Sequence, residues 1–138
     1  MSQMFINLPV SDLDRAKKFY QALGWTINPD FTDENAACVV VEDGQLYVML
    51  LVKDFFAKFI DRPISDTSGS IGSLYALAMK DADSVNRIVD AAVAAGGREQ
   101  EPNPEIAEMQ KEGGMVQRVF IDPDGHQWEP IYMDFPQP

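Results

Sequence analysis

The segment DPDGHQWEPIYMD gathers the side chains best suited to chemistry in this sequence. Glu129 and Gln127 stand two residues apart in a run that reads as a strand. They share one face with Ile131, while Trp128, Pro130 and Tyr132 take the other. A strand-borne carboxylate can serve as a general base or accept hydrogen bonds from a ligand amine. His126, the only histidine, follows the Pro-Asp-Gly turn directly and has parity opposite to Glu129, which predicts a turn-stabilising or surface role. Arg118 in VQRVFID carries a guanidinium that can pair bidentately with an anionic ligand or with Glu129, and its strand parity stays open. Cys38 is the only cysteine and lies in the apolar run ACVVV, so it is expected to be a buried, unreactive thiol.

Bulk composition narrows the partners. With 22 acidic against 11 basic residues the net charge is −11, a field that opposes nucleic-acid phosphates and anionic lipid surfaces and favours cationic small molecules. No apolar run approaches the roughly 20 residues a membrane-spanning helix needs. MSQMFINLPV lacks the basic and long apolar regions of a secretory signal, so a cytoplasmic location is expected.

These residues must be positioned by elements that recur along the chain. In MFINLPV, Ile6, Leu8 and Val10 alternate with Phe5, Asn7 and Pro9, as in a strand with one apolar face. A helix follows, capped at Ser11 or Asp12 and ended by Gly24, with Leu13, Ala16, Phe19, Tyr20 and Leu23 at helical spacing. The pattern returns with the strand LYALAM, a cap at Asp81, a helix face of Val85, Ile88, Val89 and Ala92, and closing Gly96 and Gly97. Each helix is followed by strand-like runs joined by an Asp-Gly turn, at Asp43-Gly44 and Asp124-Gly125. A weak strand over Thr26–Phe31 completes βαβββ in the first module, and REQEPNPEIAEMQKEGG in the second reads as a mobile loop. Phe55, Phe56 and Phe59 predict a short aromatic helix before a polar linker, while Trp25, Trp128 and Tyr132 are expected in packing.

The repeated βαβββ pattern, the opening NLPVSDLDRAKKFYQALGW and the ending DPDGHQWEPIYMD resemble the vicinal oxygen chelate superfamily of glyoxalases, bleomycin-resistance proteins and extradiol dioxygenases. The detail is similar to bacterial proteins labelled predicted lactoylglutathione lyases. The resemblance implies an α+β fold over 1–138, with module one at about 1–60 and module two at about 70–138, forming a curved mixed sheet around a shared cup. It also implies homodimers. The classical enzymes hold one divalent metal with ligands on the first and last strands of each module, where it acts as a Lewis acid. Matching those strands here places Phe5 and Leu74 at two ligand positions, Val48, Met49 or Leu50 according to register at the third, of which only Met49 has a lone pair, and Glu129 at the fourth. Phenyl and alkyl groups have no donor atom, and a thioether is a poor ligand for a hard ion.

Three of the four ligands are therefore missing, and no cofactor is expected; a divalent metal would have Glu129 alone. Asn7 falls beside Phe5 on the cup face and is the expected polar neighbour of Glu129. Desolvation among Phe5, Leu74 and Met49 disfavours a charged carboxylate unless Asn7, Gln127 or Arg118 stabilises it. The function expected is capture of a small organic ligand, of a kind that includes cations, by Phe5, Asn7, Met49, Leu74, Arg118, Gln127 and Glu129. The alternative is a lactoylglutathione lyase-like or other small-molecule enzyme using Glu129 as catalytic base or metal ligand.

Overall fold

The computed structural model describes residues 2–134, which fall into two compact units dividing between Ile71 and Gly72. Among the described residues no helix is long and apolar enough to cross a membrane.

The first unit runs β1 (Met4–Val10), α1 (Leu13–Ala22), β2 (Thr26–Asn28), a 3-10 turn (Pro29–Phe31), β3 (Ala36–Glu42), β4 (Leu46–Val52) and a short α2 (Lys53–Phe56) continuing as a second 3-10 turn (Ala57–Phe59). Its four strands lie in the order β1-β4-β3-β2, with β1 parallel to β4 and the other pairs antiparallel. Alternation sends Leu8, Val10, Val39, Val48 and Leu50 against Leu13, Ala16, Phe19 and Tyr20 of α1, all of them buried. Each of the Val, Leu and Phe side chains among them contributes about 2 kcal/mol by leaving water. Asp12 caps α1 by accepting from the backbone N–H of Arg15 at 3.0 Å. Trp25, just past the helix, stacks on Tyr20 with ring centroids 5.9 Å apart.

The second unit repeats this plan with β5 (Leu74–Ala78), α3 (Ala82–Ala94), β6 (Arg98–Gln100), α4 (Pro104–Glu112), β7 (Met115–Gln117), β8 (Val119–Ile121) and β9 (Gln127–Met133). The strand order is β5-β9-β8-β6, with β7 also paired to β9 and β5 again parallel to the last strand. The architecture is α+β with two βαβββ-like modules, and each module has its own mixed sheet. α3 ends in a paired motif in which the N–H of Gly97 donates to Ala92 and that of Gly96 to Val93, and the φ of +107° at Gly96 suits glycine.

Three local expectations are corrected. The segment read as a mobile loop forms β6 and α4, because Asn103 accepts from the N–H of Glu105 at 2.9 Å, Pro104 starts the helix and Gly113 ends it. The strand expected over Thr26–Phe31 stops at Asn28, whose side chain accepts from the N–H of Asp30 at 3.0 Å and turns the chain at Pro29. The run VQRVFID is broken into β7 and β8 at Arg118. The pairs Gln117↔Ile131 and Phe120↔Trp128 put Arg118 opposite Pro130, which accepts from the Arg118 N–H at 3.3 Å but has no N–H to return.

The short aromatic helix is present, with Phe55 and Phe59 edge to face at 5.1 Å, and it packs on β1 and β4 of its own unit.

Candidate functional site

Packing in the second unit decides which side chains of β9 face away from α3. Trp128 and Pro130 are buried beneath α3, where the Trp128 ring lies 5.1 Å from Tyr75 and stacks on Phe120 at 6.3 Å. Burying that face turns Gln127, Glu129 and Ile131 to the other, away from α3. Register adds Leu74, Ala76 and Ala78 from β5, Val119 and Ile121 from β8, and Gln117 from β7 to the same face. The result is an apolar sheet surface with one half-buried carboxylate near its middle strand.

Both oxygens of that carboxylate are held. Gln117 Nε2 donates to Glu129 Oε1 at 2.9 Å, and Gln127 Nε2 donates to Oε2 at 3.0 Å. Gln110 of α4 donates in turn through its Nε2 to Gln117 Oε1. An ionised carboxylate can only accept, so the amide orientations of Gln117 and Gln127 are dictated by Glu129. That leaves the Gln117 carbonyl facing α4, where only a donor can satisfy it.

The first unit presents a corresponding face. Phe5, Asn7, Tyr47 and Met49 lie opposite one another in the pairs Phe5↔Tyr47 and Asn7↔Met49. The second unit's pairs Leu74↔Gln127 and Ala76↔Glu129 occupy the same relative positions, so Met49 stands in its strand where Glu129 stands in β9. Phe5 stacks on Tyr47 with centroids 4.7 Å apart and an 11° interplanar angle, and remains 49% exposed. The Tyr47 hydroxyl accepts from the Gly44 N–H at 2.7 Å, which ties the ring to the Asp-Gly turn.

Set against the sequence reading, Phe5, Asn7 and Met49 come together in one unit, and Leu74, Gln127 and Glu129 in the other. The Asn7 amide donates to the Phe5 carbonyl at 3.1 Å, and within the second unit the carboxylate's partners are Gln117 and Gln127. Arg118 is corrected. It points to the α3 side, where it meets Glu99 twice at 2.8 Å, Asp90 at 3.0 Å and Asn86 at 3.1 Å, because adjacent residues of a strand face opposite ways and Gln117 takes the Glu129 side. The paired carboxylates push the Arg118 guanidinium up, and its hydrogen bonds hold the Glu99 carboxyl below the usual range.

His126 lies in the turn, as expected, but is buried rather than on the surface. Its backbone N–H donates to Asp122 Oδ1 at 2.8 Å and its carbonyl accepts from the Asp122 N–H at 2.9 Å. Cys38 is buried, and loss of hydration pushes its thiol up. Tyr47, Gln110 and Gln117 were not singled out from sequence. Alternation along LYVMLL would have found Tyr47, two residues from Met49, whereas Gln110 lies on the helix mistaken for a loop.

The divalent metal implied by the family resemblance does not match this donor set. Phe5, Leu74 and Met49 offer no hard donor, and the two amides beside Glu129 turn N–H groups, not oxygens, toward it. Among the described residues no three His, Cys, Asp or Glu side chains are grouped to hold a metal ion. An open groove of about 590 Å³ in the first unit is lined by Asp12, Asp14, Asp33, Glu34 and Lys17 among others. Three of its four carboxylates are engaged locally: Asp12 caps α1, Asp33 accepts from the N–H groups of Asn35 and Ala36, and Asp14 pairs with Lys17.

Two βαβββ-like modules, each with its first strand parallel to its last, give this chain the fold seen in solved proteins described as glyoxalase/bleomycin resistance proteins. Residues 3–42 match the family model for the N-terminal region of bleomycin resistance protein-like proteins. A hypothetical protein from S. aureus is 25% identical with a TM-score of 0.73, over 96% of this chain and 94% of its own. A glyoxalase-related enzyme from Fulvimarina pelagi is 22% identical (TM-score 0.72; 96% and 88% covered), and a bleomycin-binding protein solved with bleomycin is 21% identical (TM-score 0.61; 97% and 100% covered). No curated protein sequence matches the chain.

Proposed function

We propose that this protein binds a small organic molecule on the sheet face that carries Glu129, and that the ligand presents a cationic nitrogen to the carboxylate. One observation carries the reading: a carboxylate oriented by two amide donors on a sheet face where Leu74 and Ile131 are accessible and Val119 and Ile121 are buried beneath. Such a surface supplies apolar contact area and a single fixed acceptor, the combination by which small-molecule sites gain affinity and orientation. Two lone-pair positions of the carboxylate are used by the amides and the remainder are available to a ligand N–H. The net charge of −11 draws a cation toward the protein. Bleomycin bound to one structural relative supports a sequestering role, with no reaction required.

In the same reading the protein works in the cytoplasm as a homodimer, the assembly its family resemblance implies; light scattering on the purified protein checks the latter.

A thermal-shift screen with matched benzylamine, benzyl alcohol and benzoate derivatives tests the ligand class. Cationic members should stabilise the wild type selectively, and Glu129→Gln should remove that selectivity. Stabilisation by anions, or cation binding untouched by the substitution, would overturn the proposal. Turnover of the hemithioacetal of methylglyoxal and glutathione, lost in Glu129→Gln, would replace sequestration with lyase-type catalysis.

A further inference from the structure

The amide chain that ends on Glu129 begins outside the sheet. Gln110 belongs to α4, a nine-residue helix that touches the sheet at β7, and its side chain reaches Gln117 on that strand. The chain has a direction: Gln110 donates to Gln117, and Gln117 donates to Glu129. Reversing Gln117 would set its carbonyl oxygen against the carboxylate, and reversing Gln110 would set two amide oxygens against each other, so the direction at Gln117 depends on what α4 offers it. With a donor at position 110, the Gln117 carbonyl is satisfied and its N–H groups go to Glu129. With an acceptor there, Gln117 is pulled two ways and can satisfy only one neighbour.

We propose that Gln110, acting through Gln117, is a positioning residue for Glu129, so that the seating of α4 sets the orientation and acceptor character of the ligand anchor. This rests on the reading of Glu129 as the ligand's anchor and adds to it a specific dependence on a helix that packs on the neighbouring strand β7. The exposed Ile106 and Met109 on the same helix leave α4 loosely held by apolar contacts, which gives the Gln110 hydrogen bond a larger share in fixing its position.

Charge-reversed variants at position 110 separate the relay from a plain field effect. If only the field mattered, Gln110→Glu would tighten binding of a cation and Gln110→Lys would weaken it. The relay requires the opposite order, because Lys can donate to the Gln117 carbonyl and ionised Glu cannot. With benzamidine as the probe in calorimetric titrations, Gln110→Glu should weaken binding about tenfold, the scale of one hydrogen bond to a charged group. Gln110→Lys should stay within about threefold of wild type on the same scale.

Benzamidine binding unchanged or tightened in Gln110→Glu, while Glu129→Gln abolishes it, would overturn the relay and leave the anchor standing. Binding indifferent to Glu129→Gln would overturn the anchor itself. A ligand-free measurement decides the relay on its own. The Gln117 side-chain NH2 resonances should move toward free-amide values in Gln110→Glu and stay in place in Gln110→Lys; no movement in Gln110→Glu overturns the proposal.

Discussion

Arg118 grips Glu99 through two parallel N–H···O bonds, Nε to Oε2 and Nη2 to Oε1, both 2.8 Å long. The pair ties β6 to the junction of β7 and β8, and Asp90 and Asn86 extend it onto α3. Its geometry is the fork-to-fork form in which guanidinium and carboxylate bind best. Arg118→Met should therefore lower stability by about 1 kcal/mol at neutral pH. The Glu99 carboxyl is held below its usual range in the folded state, so its contribution is present above the unfolded value and fades as pH falls through the folded one. Urea midpoints of wild type and Arg118→Met should accordingly converge as the pH drops below about 4.3.

Trp128 and Glu129 are chain neighbours with opposite duties. Removing the ring in Trp128→Ala empties the space beside Phe120 and Tyr75 and should cost about 3–5 kcal/mol. Glu129→Gln, at a half-buried position, should change stability by less than about 1 kcal/mol. Equilibrium denaturation of the two variants checks the contrast; equal losses would mean that Glu129 serves packing.

Gly96 ends α3 at a φ of +107°, with open space where a side chain would go. Gly96→Ala meets no steric clash, only backbone strain, and should cost about 1 kcal/mol. Thermal denaturation measures it, with Gly72→Ala, which has equal room and ordinary φ, as the neutral comparison.

Cys38 should react slowly with a thiol-specific disulfide reagent at neutral pH while the protein is folded, because burial suppresses the thiolate. In denaturant the single thiol should be labelled fully and fast. Rapid labelling of the native protein would contradict the burial described.

Dialysis against EDTA should leave both the thermal midpoint and the affinity for cationic probes unchanged, since the groups around Glu129 present N–H donors to it. Metal analysis of the purified protein and a repeat titration after dialysis check this; a stoichiometric ion whose removal abolishes binding would refute it.

Much of the scaffold was legible in the sequence because strand alternation and helical spacing are local patterns. The division of β1 into an Ile6, Leu8, Val10 face and a Phe5, Asn7, Pro9 face needed only parity, and so did the separation of Trp128 from Glu129. Partners were less legible. Gln127, two residues away on the same strand, was legible by parity, whereas Gln117 was missed and Arg118 falls on the other face, because that choice depends on the register of β7 against β9. Had the parity of VQRVFID been anchored by pairing Phe120 with Trp128, Gln117 and Arg118 would have been assigned to their correct sides. The glutamate-rich segment around α4 hid a helix because its few apolar residues, Ile106 and Met109, stay exposed and leave no buried stripe to detect.

The place of β9 in its sheet carries a consequence for how the protein is made. Residues 127–133 leave the ribosome after every other strand of the second unit, yet β5, β8 and β7 all pair with them. Until that segment emerges, β5 has no neighbour and remains an unpaired apolar edge that other nascent chains could occupy. Assembly of the unit and arrival of Glu129 are thus a single late event. A chain interrupted shortly before residue 127 would lose Glu129 and the central strand of the sheet together, so molecules that carry this carboxylate are those whose second sheet has been completed.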